Sequence, residues 1–187
     1  MATDEELMTA AGLGDRGAFA ELVERHHARA FRIASRFLGN REEAADIVQE
    51  AFLKILSAAP RYRPSAAFGT YLFRVITNLC LDHRRRARPE ADAPIQDRQS
   101  EAPSALETLI RDQRSAALLA ALRSLPPRQR LAVVLKYNEE MSYCEIAQVL
   151  ETSEKGVERL LARARESLLA RLAERPMVRD KPQSLMR

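Results

Sequence analysis

The chain has 187 residues, room for one domain of average size or two small ones. Apolar residues make up 46% and charged residues 30%, mean hydropathy is −0.33, and no apolar run approaches the roughly 20 residues of a membrane span, which excludes a spanning protein. The net charge of +4 is compatible with a nucleic-acid partner without requiring one. The opening Met1-Ala2-Thr3-Asp4-Glu5-Glu6 is acidic and lacks the apolar core of a secretory signal, so the expected location is cytoplasmic. Cys80 and Cys144 lie far apart, each in a stretch that reads as helix. They are expected as reduced, buried thiols rather than as a disulfide.

The N-terminal block reads as three helices. The first runs from Asp15, a good N-cap, to Leu38, with Phe19, Leu22, Val23, Ala30, Ile33, Ala34 and Phe37 at helical spacing. Gly39 supplies the left-handed stop. Asn40, with Glu43 three residues on, resembles a capping box for a second helix whose inward stripe is Ala44, Ile47, Val48, Ala51, Phe52 and Ile55, ended by Pro60. After a loop from Arg61 to Ala67, a third helix turns Phe68, Tyr71, Leu72, Val75, Ile76 and Leu79 inward and finishes in the basic run Arg84-Arg85-Arg86.

A linker from Pro89 to Ser104 follows, polar and too rich in proline for a helix interior. Residues 1–88 carry 14 basic and 11 acidic groups, residues 89–104 one and four, and residues 105–187 fifteen and eleven. Two mildly basic blocks thus flank an acidic connector. The C-terminal block reads as helix from Leu106 to Leu125 and a stop at Pro126-Pro127, where the second proline can start the next helix with Leu131, Val134 and Leu135. Ser142-Tyr143-Cys144-Glu145 is a capping box for a short helix. A turn at Glu151-Thr152-Ser153 leads into a long helix to Ala173, and residues 176–187 form a mobile tail. Gly is scarce and hairpin dipeptides are absent, so the fold class is all-α, in two small helical domains: residues 1–88 and 105–175.

Three constellations carry function. Ser142 to Arg165 has the outline of a helix-turn-helix, whose second helix can enter a DNA major groove. An ordinary helical hairpin shares that outline. The cap, the small Ala147 and the apolar set Ile146, Leu150, Val157 and Leu160 favour DNA binding. On the helix after Asn40, Glu42, Asp46, Gln49, Glu50 and Leu53 share one side; on periodicity alone this is a solvated acidic face, with Leu53 hinting at a protein interface. Between Arg61 and Arg88, aromatics (Tyr62, Phe68, Tyr71, Phe73) mix with arginines, the combination that holds single strands by stacking and phosphate neutralisation. Phe68 and Tyr71 belong to the inward stripe. Thr70, Arg74, Thr77, Asn78 and Arg85 lie on the other side and are the better nucleic-acid candidates.

Taken together, these residues resemble the extracytoplasmic-function (ECF) group of bacterial sigma-70 factors. The resemblance covers residues 15–88 (sigma region 2) and 112–172 (sigma region 4). It is carried by Arg41-Glu42-Glu43-Ala44-Ala45-Asp46-Ile47-Val48-Gln49-Glu50-Ala51-Phe52, Tyr71-Leu72-Phe73-Arg74-Val75-Ile76-Thr77-Asn78 with Asp82-His83-Arg84-Arg85, Leu125-Pro126-Pro127-Arg128-Gln129-Arg130, and Ser142-Tyr143-Cys144-Glu145-Ile146-Ala147. It implies a promoter-recognising subunit of RNA polymerase with no chemistry and no cofactor of its own. Asp46, Gln49, Glu50 and Leu53 would dock on the basic coiled coil of the polymerase clamp. Arg61, Arg63, Arg74, Thr77, Asn78, Arg84 and Arg85 would melt and read the downstream (−10) element, with a base flipped into a protein pocket. Lys155, Glu158, Arg159 and Arg163 would read the upstream (−35) element. The acidic linker would thread toward the polymerase active-site cleft, and an anti-sigma protein would control the factor.

Three positions depart from the family pattern. Tyr71 stands where tryptophan is common. Glu151 replaces the usual turn glycine, and a left-handed non-glycine residue costs roughly 1–2 kcal/mol, which points to a turn built differently. Glu158 would be repelled by phosphate but can accept from cytosine N4, so altered upstream-element reading is expected. Two rival classes explain less. An enzyme finds no Ser/His/Asp set or phosphate loop, and Cys80 with His83 lacks a second ligand pair for zinc. A free-standing helix-turn-helix regulator leaves the acidic face and the basic third helix without a role.

Overall fold

The computed structural model describes residues 2–63, 66–86 and 118–173. The linker at 89–104, the tail at 176–187 and most of the helix read over Leu106–Leu125 lie outside the described residues.

Among the described residues the N-terminal half holds four α-helices rather than three. Helix α1 (Asp4–Gly12) precedes the first one read from sequence. Its capping box is complete: Thr3 Oγ1 accepts from Glu6 N at 3.2 Å, and Glu6 Oε2 accepts from Thr3 N at 2.8 Å. Only Leu7, Met8 and Ala11 turn inward, a stripe too short to stand out as periodicity, although the Thr-x-x-Glu cap was present as a signal.

Helix α2 (Arg16–Leu38) starts at the Asp15 cap, whose carboxylate accepts from Gly17 N and Ala18 N, and stops at Gly39 with φ 76°. Helix α3 (Arg41–Ala58) buries the six residues expected of it and is capped by Asn40. Pro60 then sits in a 3-10 turn, Ala59–Arg61. Helix α4 (Phe68–Arg86) buries Phe68, Leu72, Phe73, Ile76, Thr77, Leu79 and Cys80, more than one stripe. The reason is that α4 packs against α2 and α3 and also against two helices of the C-terminal half.

That half begins with helical residues 118–123 (α5). Helix α6 (Pro127–Val133) has proline in its first turn, where the missing N–H costs nothing. It runs on as a π turn, Val134–Asn138. Helix α7 (Tyr143–Val149), capped by Ser142 and Glu145, and helix α8 (Glu154–Ala173) form the helix-turn-helix. Its shared core uses Ile146, Ala147, Leu150 and Val157 as read. Leu161 and Ala164 are buried where Leu160 was expected, and Leu160 is only partly buried. The turn is not built differently: Glu151 takes the left-handed conformation itself, at φ 49°.

The two halves share one contiguous apolar core. Polar contacts reinforce the seam. Glu139 has a side chain only 2% exposed. It accepts from Arg29 Nε at 3.0 Å and from Arg32 Nη2 at 3.4 Å, both on α2. Arg130, 3% exposed, donates to Phe37 O at 2.7 Å, to Leu122 O at 2.9 Å and to Arg123 O. These acceptors are carbonyls at the C-terminal ends of α2 and α5, where helix dipoles favour a cation. The two helical domains thus pack against each other through this shared core.

Candidate nucleic-acid and polymerase interfaces

The inward stripe of α3 leaves its opposite side free. Asp46 and Gln49 are exposed there, and Leu53 is 57% exposed. Glu50 is half-buried and pairs with Lys54 at 2.9 Å, one turn on. The four residues therefore form one acidic surface with an apolar spot. Leu56, 40% exposed, enlarges that spot; sequence reading passed over it because it falls outside the acidic set.

Beyond α3 the chain turns through Ala59–Arg61 and lines a cavity of about 440 Å³ with Ala58, Arg61, Tyr62, Arg63, Ala66, Thr70, Tyr71, Arg74 and Gln148. That volume lies within the roughly 300–1,000 Å³ of ligand-sized clefts. Two aromatic rings face each other in its wall, Tyr62 and Tyr71, with centroids 5.6 Å apart and planes tilted by 48°. The Arg74 guanidinium stands 5.7 Å from the Tyr71 centroid, and its Nη1 is 3.8 Å from Glu151 Oε1. The Tyr62 hydroxyl is buried without a hydrogen-bond partner. Burial, followed by the charge of Glu5, raises its pKa. Arg63 Nη1 donates to the Tyr62 carbonyl at 3.0 Å. Cationic and aromatic groups around a cleft are what a stacked, unpaired base with its phosphate requires.

The remaining expected residues of α4 divide. Asn78 is exposed, Arg84 is half-buried and Arg85 is exposed, the last donating to Asp82 at 2.7 Å. Thr77 corrects the sequence reading: it is fully buried and its hydroxyl donates to Arg74 O at 3.1 Å, so in this arrangement it touches no nucleic acid. One-sided periodicity assigned it to the outside, and the second packing face of α4 put it inside.

On α8, Lys155, Glu158, Arg159 and Arg163 are all exposed, opposite the buried Val157, Leu161 and Ala164. Ser153 Oγ accepts from Gly156 N at 3.1 Å and fixes the first turn of the helix. Gln148 of α7 and Glu151 of the turn reach the cavity of the N-terminal half, a juxtaposition that sequence alone gave no means of finding.

Both cysteines are free, and Cys144 is exposed rather than buried. It stands on the outer side of the short α7. Cys80 is buried, and burial pushes its thiol up to about 12. His83 faces Glu43 at 3.0 Å. Among the described residues no group of three or more His, Cys, Asp or Glu is placed to hold a metal ion.

The Sigma-70 region 2 family model matches residues 22–90, and the Sigma-70 region 4 model matches residues 115–168. The chain is 37% identical over 172 residues to the ECF RNA polymerase sigma factor SigM of Mycobacterium tuberculosis, covering 91% of this chain and 84% of SigM. It is 28% identical over 172 residues to SigW of Bacillus subtilis, covering 86% and 92%. Among solved structures it is similar to CnrH in complex with the cytosolic domain of CnrY, with TM-score 0.68, 29% identity, and coverage of 92% and 99%. The fold is shared with the sigma factor RpoE of Bartonella quintana, solved with the anti-sigma factor NepR, at TM-score 0.60 and 17% identity over 83% and 96%. Two sigma regions in order, with an exposed acidic face on the first and a helix-turn-helix in the second, fit a subunit that brings RNA polymerase to promoters. The chain belongs to the ECF RNA polymerase sigma factors of the sigma-70 family.

Proposed function

We propose that this sigma factor divides its work among three surfaces. The face of Asp46, Gln49, Glu50 and Leu53 docks on the basic coiled coil of the polymerase clamp. The cavity bounded by Arg61, Arg63, Tyr71 and Arg74, with Asn78, Arg84 and Arg85 farther along α4, takes the melted −10 strand and receives a flipped base. Lys155, Glu158, Arg159 and Arg163 read the −35 duplex. The observation that carries this reading is the cavity, because it joins two facing tyrosines to three arginines at the end of the α3 face. Thr77 enters only if α4 is uncovered.

The same reading has residues 1–88 and 105–175 as the two functional units, joined by the connector at 89–104, which runs toward the active-site cleft. It gives the chain no catalysis and no cofactor, and places it in the cytoplasm; no helix among the described residues is long and apolar enough to cross a membrane. It also includes control by an anti-sigma protein. That part is supported by CnrH, which was solved with a bound partner fragment.

Run-off transcription with core polymerase, on duplexes selected by the reconstituted holoenzyme, tests the whole. Leu53→Asp is expected to weaken core binding by more than tenfold, as loss of an apolar contact at an interface centre does. Its exposure leaves folding intact. Arg159→Ala is expected to weaken binding of the upstream duplex at fixed salt, by roughly 1–3 kcal/mol if it reads a base and with a salt slope lower by about 1 if it holds a phosphate. Core binding unaffected by Leu53→Asp, or duplex binding unaffected by Arg159→Ala, removes the corresponding assignment.

A further inference from the structure

Helix α1 precedes the segment matched by the region 2 model, which begins at residue 22, and none of the three surfaces uses it. Its contacts nonetheless converge on the loop that lines the cavity. Where the loop ends, the first N–H of α4 needs an acceptor. Ala67, directly before the helix, has no side-chain oxygen to give. Glu5 supplies one from 63 residues away: its Oε1 accepts from Phe68 N at 3.1 Å. A carboxylate is also the favourable charge at that end of a helix.

The Phe68 ring lies edge-on to His26, centroids 5.1 Å apart, and His26 is held by Asp4 at 2.6 Å. Where the loop begins, Gly12 lets the backbone of α1 press against the 3-10 turn. A Cβ at Gly12 would lie 2.6 Å from Ala59 O, closer than any side chain can sit. Tyr62, the residue after that turn, feels the charges of both Glu5 and Asp4.

We infer that α1 is a brace holding both stems of the loop between Arg61 and Ala67, and that Glu5 is a positioning residue for promoter opening. The inference rests on the cavity being the −10 site. Its logic is preorganisation: residues already held in place at the two stems of the cavity wall, Tyr62 on one side and Phe68 on the other, have less freedom to lose on binding DNA. Glu5 touches no nucleic acid and acts only through Phe68 N and the shape of the cavity wall. Gly12 sets how closely the brace fits.

The test uses the full chain with core polymerase, on a duplex selected from a random pool by the wild-type holoenzyme. Permanganate reactivity of the downstream thymines reads opening, and anisotropy of the labelled factor reads core affinity. Glu5→Ala is expected to cut opening about fivefold, the equilibrium counterpart of one lost helix cap, with core affinity unchanged. Glu5→Gln keeps a carbonyl acceptor and is expected to stay near the wild type. Repeating the selection with Glu5→Ala should relax base preference within the downstream element and not the upstream one, which a general loss of stability would not do. The brace is overturned if Glu5→Ala opens DNA with wild-type yield and base preference, if core affinity falls in parallel, or if Glu5→Gln fails as badly as alanine. A wild-type holoenzyme that opens no selected duplex sinks the cavity reading itself, and the brace with it.

Discussion

Replacing Arg29 and Arg32 together by alanine is expected to destabilise the folded protein by about 3–5 kcal/mol, the usual result of stranding a buried charge, and to do so by more than Glu139→Leu. The asymmetry follows from burial. Glu139 keeps 2% of its side chain in water, whereas Arg29 and Arg32 keep 39% and 50%. Without the acid, both guanidiniums rehydrate where they stand, and a leucine fills the space. Without the arginines, the carboxylate has no countercharge and only the water that enters where the two guanidiniums stood. Because Glu139 belongs to the C-terminal half and the arginines to α2, the loss falls on the seam. Urea denaturation of the double variant should therefore show an early transition of small m-value, reflecting limited newly exposed surface, ahead of the main unfolding. If Glu139→Leu is the more damaging change, the electrostatic account of the seam is wrong.

Arg130→Ala is the second large effect, at about 3–5 kcal/mol, from the loss of a guanidinium that donates to three carbonyls, the buried Phe37 O among them, and from the void of a long side chain. Among the described residues the guanidinium's hydrogen-bond acceptors are all carbonyls. Its stem and charge lie against Phe37, 5.5 Å from the ring centroid. Burial, with the nearby positive charges of Arg84 and Arg123, lowers its pKa to about 10. A base whose folded value is depressed binds fewer protons folded than unfolded only above that value. Its charging penalty is thus constant below about pH 10 and is relieved as pH rises through 10. The destabilisation by Arg130→Ala should accordingly be flat from about pH 6 to 9. Arg130→Lys should rescue little, since a point-like ammonium cannot span the carbonyls of two helices as a planar fork does. Thermal unfolding of the three proteins across that range checks both statements, and a lysine variant as stable as the parent would refute the fork argument.

What the sequence disclosed follows from the range of the interactions involved. The bounds of α2 and α3, their caps and the inward stripe of α3 depend on neighbours within four residues, and all were legible. So was the exposed face of Asp46, Gln49 and Leu53, the complement of that stripe. Helix α1 was missed because three buried residues over nine positions give little periodicity. Thr77 and Cys144 went astray for opposite reasons: Thr77 lies where a second element packs, and Cys144 lies on the outer side of a short helix, exposed among the described residues. The seam was illegible because its pairings join residues 77 to 110 positions apart, where local pattern carries no information. The Glu151 turn shows the reverse case. Its strain is local, and the family glycine correctly marked a left-handed position, yet the core formed by α7 and α8 holds glutamate there all the same.

The placement of Gln148 and Glu151 against the cavity of the other half sets a condition on reach. Elements at −10 and −35 are about 25 base pairs apart, or roughly 85 Å of duplex at 3.4 Å per step. If the two surfaces proposed above read these elements, sharing one wall keeps them from occupying both at once. On the function proposed above, engagement of a whole promoter begins with parting the halves, and its affinity is scaled by the fraction of molecules already parted. Each 1.4 kcal/mol of docking free energy lowers that affinity about tenfold. A polymerase surface that holds the halves at their working separation restores the same factor.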